Sequence, residues 1–555
     1  MTPRIRRNDF GALTPPALGD WRPSLPVSVV IPAYGGQDQL DLTLAALAAQ
    51  TYPAPLLEVI VVDDGGTPPL RLPSLTPART RLVPSGPGGW GRAWACQSGY
   101  DAATGEIILT MDADLVPHRE HVAAHARWHH LADHLAVTGW PEFTDVSAGL
   151  PTPVEVFKRV RAGEADALFS HDDGSAHDWL EEILDRYDGL RSAPSSVLYR
   201  THVGGTASVR AGLLREVGGM DTGLVLGEDT ELGYRLTQAG AVFVPERAAR
   251  CWHLGQTTAM TRQEEVRAFN APYVADRIPY RRWLRTDPGR QWLVPYVAAV
   301  VEARGAYPDV RATVDSLLAS TLPDVRVTLV GPWPELTGER RRPLDDPLLD
   351  LRLLQATYGH DGRVVLAEAE PPTTAPFVFR CPSGWAVGPE TLDRLVRRAE
   401  DEDSGVRCLA LTEERGEVLA ARLERTAAVS RARRVAAPFE DLDDVIAKIS
   451  DVTWHDGEEY GMLAPGTAYP RLEGNRNRAA AQWKARALHA ELVHGKVKEQ
   501  VRDLREQNLE LRRAVAKGQK EAVRLRAEAD RLREAAKARR TPVLRKVLRR
   551  INPPS

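Results

Sequence analysis

Ile107-Ile108-Leu109-Thr110-Met111-Asp112-Ala113-Asp114 is the stretch that decides how this chain is read. A short, mostly apolar run that ends in two carboxylates, with Pro117 just beyond, reads as a buried strand stopping at a polar rim. In an open α/β sheet that rim lies at the C-terminal ends of the strands, where ligands bind. One carboxylate there can hold a hard divalent cation together with substrate phosphates, and the other a ribose hydroxyl. Asp-X-Asp is common in turns, so its meaning depends on what flanks it.

On both sides, strand and helix signals alternate. The run 27–31 is β-branched and closes at Pro32; Leu40, Leu44 and Leu47 share one helical face; residues 57–62 form a second strand ending at Asp63-Asp64-Gly65-Gly66. Such alternation predicts a mostly parallel sheet covered by helices, an α/β domain over residues 26–285. Residues 1–25, rich in Pro and Arg without a period, are expected to be an N-terminal arm. Residues 141–200, rich in acids, His and Trp, are expected to be an insertion near a substrate site.

With 555 residues the chain should hold more than one domain. Residues 286–474 read as a second copy of the first unit. Leu47-Ala48-Ala49-Gln50-Thr51-Tyr52-Pro53 matches Leu317-Leu318-Ala319-Ser320-Thr321-Leu322-Pro323 at a constant offset. At that offset Asp112-Ala113-Asp114 falls on Pro382-Ser383-Gly384, and after a two-residue gap Asp63-Asp64 falls on Gly331-Pro332. The copy keeps the apolar skeleton and loses all four carboxylates.

Residues 475–540 place Val497, Val501, Leu504, Asn508, Leu511, Val515, Gly518, Ala522, Leu525, Ala529, Leu532 and Ala536 in alternating steps of four and three, the seam of an α-helical coiled coil. A homodimer is expected, with Asn508 setting the register. Residues 475–555 carry 23 Lys/Arg against 9 Asp/Glu, a net +14, so −17 rests on the remainder of a chain whose net charge is −3. In residues 541–555, Val543, Leu544, Val547, Leu548 and Ile551 form an apolar stripe flanked by Arg545, Lys546, Arg549 and Arg550. A basic amphipathic helix of this kind suits an anionic membrane surface. No apolar run of about 20 residues predicts a transmembrane helix. The four cysteines (Cys96, Cys251, Cys381, Cys408) show neither disulfide nor metal-ligand spacing, so a cytoplasmic location is expected, peripheral at the inner face of the plasma membrane through the tail. Only nine of the 72 basic residues are Lys, as in a GC-rich genome.

Five ordered blocks in residues 26–255 resemble the family 2 glycosyltransferases of GT-A fold, in an actinobacterial-type bacterial form. They are Val29-Val30-Ile31-Pro32-Ala33-Tyr34; Val61-Val62-Asp63-Asp64-Gly65-Gly66; Gly105-Glu106-Ile107 through Asp114; Val217-Gly218-Gly219-Met220-Asp221 with Gly227-Glu228-Asp229 and Glu231-Leu232-Gly233-Tyr234-Arg235-Leu236; and Trp252-His253-Leu254-Gly255. The resemblance implies transfer of a hexosyl or N-acetylhexosaminyl group from a nucleotide-sugar donor, usually with inversion, in polysaccharide or cell-wall biosynthesis. It implies a divalent cation, Mn2+ or Mg2+, at Asp114 and His253, ribose at Asp112, and base at Asp63 or Asp64 between Pro32 and Tyr34. It implies sugar beside Gly204 and Gly205, with Asp229 as general base and Glu228 orienting it. The second unit would then be a degenerate GT-A-like domain. Arg282-Trp283 follows Pro279 rather than the Gln of processive relatives, and the Asn common near residues 89–92 is absent, so a non-processive enzyme is expected.

The expected acceptor is a surface glycan or lipid-linked precursor; nucleic acid is not an expected partner. Two other readings compete. One is a non-catalytic glycan-binding scaffold assembled by its coiled coil. The other is a sugar nucleotidyltransferase, for which Tyr34-Gly35-Gly36-Gln37-Asp38 lacks the basic, Gly-rich signature.

Overall fold

The computed structural model describes residues 3–147, 149–170, 178–338, 342–414 and 416–467, and within the C-terminal segment residues 500, 504, 507, 511, 514, 515, 517, 518, 521, 522 and 524–534. The chain divides into two units, Met1–Gln482 and Trp483–Ser555. No helix among the described residues is long and apolar enough to cross a membrane.

The first unit holds two large sheets. The first contains β1 (Val27–Ala33), β2 (Leu57–Asp63), β3 (Thr80–Pro84), β4 (Ile107–Met111), β5 (Leu115–Pro117), β6 (Leu135–Thr144), β7 (Thr206–Arg210) and β8 (Val242–Leu254), in the order β3-β2-β1-β4-β7-β6-β8-β5. β1 lies between β2 and β4, parallel to both, whereas β7 runs antiparallel to β4. Every residue of β4 is buried. Its apolar run is therefore covered on both faces, as expected of a central parallel strand. The C-terminal ends of β1, β2 and β4 lie side by side and deliver Tyr34, Asp63-Asp64 and Asp112-Asp114 to one edge. This is a GT-A-like α/β fold.

The second sheet contains β9 (Val297–Glu302), β10 (Val325–Val330), β11 (Val364–Ala367), β12 (Phe377–Arg380), then β14 (Val406–Glu414), β15 (Glu417–Arg425) and β16 (Val452–Asp456), in the order β11-β10-β9-β12-β15-β14-β16. The short β13 (Ala386–Val387) pairs with β17 (Met462–Leu463). The first four strands repeat the order of the first sheet. Two hydrogen-bonded contacts repeat as well: the Thr43 hydroxyl donates to Ala113 O and the Thr51 amide to Arg119 O, while Thr313 Oγ1 accepts from the Gly384 amide and the Thr321 amide donates to Pro389 O.

Residues 3–8 are less of a free arm than their sequence suggests. Ile5 and Asn8 are fully buried. The Asn8 amide pairs with both the N–H and the carbonyl of Phe243, while Arg6 and Arg7 reach Asp451 beyond the second sheet. The 141–200 region is more regular than expected, with helices Pro153–Ala162 and Asp178–Arg186.

Behind β7, the helix His121–His129 packs a ladder of buried histidines. A carbonyl can only accept, so His121 Nδ1 donates to Arg250 O (3.0 Å), and this fixes every later step. The Thr206 hydroxyl then donates to His121 Nε2 (2.9 Å), His125 Nε2 to Thr206 (3.1 Å), the Ser208 hydroxyl to His125 Nδ1 (3.0 Å) and His129 Nε2 to Ser208 (2.8 Å). Gly139 makes room for it, since a Cβ there would lie 2.8 Å from His125 Nε2. Burial lowers the affinity of each ring for a second proton, to a pKa of about 4 at His121 and about 3 at His129, and well below the ordinary histidine range at His125. The unfolded chain takes up protons near pH 6.5 while the folded one does not. Stability is thus full above that pH and should fall steadily as pH drops from about 6.5 to about 4. Thermal unfolding followed by circular dichroism across this window checks it; an unchanged midpoint would contradict the ladder.

Candidate active site

Three candidate ligands meet at the end of β4. Asp112, Asp114 and His253 each offer one ligand atom, and these atoms lie within 4.8 Å of one another. His253 Nδ1 sits 2.9 Å from Gly255 O and must donate to it, which leaves Nε2 turned toward Asp114 Oδ1 at 3.8 Å. Phe143 stacks on the imidazole at 4.7 Å and fixes its plane. Burial raises the Asp114 pKa, and neighbouring His253 opposes this. Two carboxylates and an oriented imidazole fit a divalent cation with room left for substrate oxygens.

Arg92, at the start of the helix Arg92–Ala102, organises the rest. Its Nε and Nη2 donate to Asp112 Oδ1 (3.1 and 2.9 Å), Nη1 to Glu228 Oε1 (2.8 Å), and Nη2 also to Gly204 O (2.6 Å). One guanidinium thereby joins the strand-end acid to the acidic helix Glu228–Gln238. A Cβ on Gly204 would lie 2.8 Å from Arg92 Nη1 and 3.0 Å from Asp229 Cβ, and one on Gly205 would lie 3.3 Å from Asp112 Oδ2. The two glycines therefore admit these side chains to the cleft. No sequence motif marked Arg92, because its partners are 20 to 136 residues away.

The acids on the helix differ. Glu228 is buried; desolvation raises its pKa, Arg92 lowers it, and Asp229 raises it again. Asp229 is partly exposed. Its Oδ2 accepts from the Gly204 amide (3.1 Å) and its Oδ1 from the Thr230 amide (2.6 Å). Gly227, at φ 78°, is the N-cap, so Asp229 lies inside the first turn and its side chain points to Gly204.

The acids after β2 also separate. Asp63 closes its own loop, accepting from Gly65 N (3.0 Å) and Leu70 N (3.1 Å). Asp64 Oδ2 accepts from Gly91 N (2.7 Å), while its Oδ1 is buried without a hydrogen-bond partner among the described residues. Tyr34 (76% exposed) and Trp90 (70% exposed) stand on the loops that meet Asp64, while Pro32 lies half-buried within β1. Trp90 was not picked out from the sequence; a lone Trp in a Gly-rich loop gives no periodic signal.

Residues 28–162 match the family described as Glycosyl transferase family 2. The chain is 24% identical over 321 residues to the chondroitin synthase of Pasteurella multocida, covering 55% of this chain and 33% of that protein. It is 29% identical over 226 residues to the pre-mycofactocin glycosyltransferase of Mycobacterium tuberculosis, covering 39% of this chain and 40% of that one. The chain thus spans well under half the length of these curated relatives. Among solved structures, the mannosyltransferase PcManGT from Pyrobaculum calidifontis, in complex with GDP-Man and Mn2+, aligns at 18% identity and a TM-score of 0.28, over 48% of this chain and 63% of that one. Residues 28–162 of this chain are a glycosyl transferase family 2 domain.

Proposed function

We propose that this chain moves a sugar, with inversion and without processivity, from a nucleotide-sugar donor to a hydroxyl of a glycan or lipid-linked acceptor. The observation that carries the reading is the Arg92 bridge, which puts Asp112, beside Asp114 and His253, into one cleft with Glu228 and Asp229. Asp112, Asp114 and His253 would hold Mn2+ or Mg2+, which when bound offsets the charge growing on the departing diphosphate. Asp64 Oδ1 accepts an N–H of the base, and Tyr34 and Trp90 flank it. Asp229 takes the proton of the attacking hydroxyl. Glu228, held by Arg92, keeps the start of its helix in place.

The test is nucleoside diphosphate release by the full-length protein, with Mn2+ and a panel of nucleotide sugars. Slow release from one donor, strongly weakened in Asp64→Asn, is expected; no release from any donor would refute the reading.

In the same reading residues 286–474 are a degenerate GT-A-like domain. The turn after β12 carries Pro382, Ser383 and Gly384, and the Ser383 hydroxyl is spent on Glu302 O. The coiled coil belongs to the proposal too. The described residues between 500 and 534 are helical, and Leu504, Leu511, Val515, Leu525 and Leu532 are 56–67% exposed. Val497, Val501, Asn508 and Ala536 of the seam, and the basic stripe of 541–555, lie outside the described residues. Light scattering should give a dimer that Leu511→Glu with Leu525→Glu dissociates; a wild-type monomer at micromolar concentration would contradict it. Work at the cytoplasmic face of a membrane remains part of this proposal.

A further inference from the structure

The helix Gln263–Arg277 buries one of its 15 residues, Ala275. A helix on a globular unit usually sinks an apolar stripe into the core, and this one leaves its aromatic side chains outside. Phe269 and Tyr273 lie one turn apart on the same side, 44% and 38% exposed. Their rings stack at 5.4 Å with 29° between the planes.

The helix stands on the rim of the candidate active site. The chain enters it from the metal-ligand side, after His253 and the short helix Thr258–Thr261. Its inner face then rests on the segment that leads into the acidic helix. Asn270 packs against Gly227, the N-cap before Glu228 and Asp229, where a Cβ would lie 3.0 Å from Asn270 Nδ2. Two turns on, Arg277 Nε donates to Asp221 Oδ2 (2.6 Å). The same segment meets the Trp90 loop at Val225, whose Cγ1 would lie 3.8 Å from a Cβ on Gly91. Phe269 adjoins Asn270 in sequence, so the aromatic pair is set beside the start of the acidic helix.

The helix carries three acids, Glu264, Glu265 and Asp276, against Arg267 and Arg277. That balance disfavours a phosphate or an anionic lipid surface. Pro272 has no N–H, so the carbonyl of Ala268, next to Phe269, lacks its helical donor. Aromatic rings flanked by such a carbonyl suit a sugar ring, which offers an apolar C–H face and hydroxyls around its edge. Given the transferase reading, we propose that Phe269 and Tyr273 form the platform on which the acceptor's sugar ring stacks, with its hydroxyl directed to Asp229. The accepting end of the acceptor is then an uncharged saccharide, whatever carries it.

The experiment uses full-length protein in EDTA, without donor, and a panel of methyl glycosides and disaccharides of glucose, galactose, mannose and N-acetylglucosamine, read by saturation-transfer difference NMR. Saturation of the ring C–H protons of a saccharide is expected, with affinity weakened about tenfold in Phe269→Ala and in Tyr273→Ala and retained in Phe269→Tyr and Tyr273→Phe. With Mn2+ and a nucleotide sugar that the protein cleaves, the same saccharide should accept the sugar. Its KM should rise about tenfold in the alanine variants, with a smaller change in kcat. Saturation of n-octyl phosphate but of no saccharide would make the pair a lipid contact and overturn the platform. So would an unchanged saccharide signal in the Phe269→Ala/Tyr273→Ala double variant with wild-type circular dichroism, or no signal from the whole panel. Saccharide binding that depends on the pair, without nucleoside diphosphate release from any donor, would refute the transferase reading alone.

Discussion

Asp229→Asn is expected to lower sugar transfer by about 10²- to 10⁴-fold while metal-dependent donor binding persists. Asp229 is the acid of the helix start that combines partial exposure with a carboxylate held by backbone amides, from Gly204 and Thr230. Asparagine preserves its shape and the Thr230 contact. It removes the basicity needed to accept a hydroxyl proton, and with its carbonyl kept on Thr230 it turns an N–H toward the Gly204 amide. Glu228→Gln makes the contrast. Glu228 is buried and serves Arg92, so glutamine still accepts from that guanidinium and a smaller loss is expected. Asp114→Ala should instead abolish Mn2+-dependent donor binding. Calorimetry for donor and a transfer assay for turnover separate the three. Wild-type turnover by Asp229→Asn would remove the base assignment, whatever the other two do.

The parts of the fold legible in the sequence were those set by short-range pattern. β1, β2 and β4 are β-branched or apolar runs with acids or Pro at their ends, and the structure places all three as neighbours. The offset seen between Leu47 and Leu317 reappears in the strands: β9 and β12 pair as β1 and β4 do. The long β8 was not legible. Its middle reads Pro245-Glu246-Arg247, which looks like a turn, and its pairing with β6 shifts register between Thr138 and Trp140, so no alternation survives. Tertiary partners explain the charges there: Glu246 accepts from Arg127 and from the Trp128 indole.

The candidate site shows the same division. Carboxylates at strand ends can be read locally, but the difference between Asp63 and Asp64 cannot, because it depends on the Leu70 and Gly91 amides. Arg92 was invisible for the same reason. The histidine ladder did leave a mark, His121, His125 and His129 at steps of four, but such spacing on a helix does not say whether the rings face water or β7.

Arg431→Met and Gly240→Ala are expected to loosen the acidic helix from its far end. Arg431 is buried and donates to Gly240 O and Ala241 O (both 2.8 Å) and to Arg7 O. The Gly240 and Ala241 carbonyls follow directly on the helix that begins at Glu228, where a cation is favoured by the helix dipole. Burial lowers its pKa to about 10, with Asp403 opposing, so it stays charged at neutral pH. Methionine would fill the space and strand three carbonyls, at a cost of about 2–4 kcal/mol. Gly240 has φ 81°, and a Cβ there would lie 2.6 Å from the Arg431 amide nitrogen, so alanine is both strained and pressed against backbone of the second half. The helix is held from the same side by the Tyr234 hydroxyl, which donates to Thr374 O. Hydrogen exchange is the decisive measurement. Protection should fall in residues 228–243 in both variants, with β1 and β2 unchanged. Loss of protection throughout the first sheet would show that Arg431 supports the whole fold. Unchanged protection in 228–243 would mean that the half of the unit carrying the second sheet does not hold the helix carrying Glu228 and Asp229.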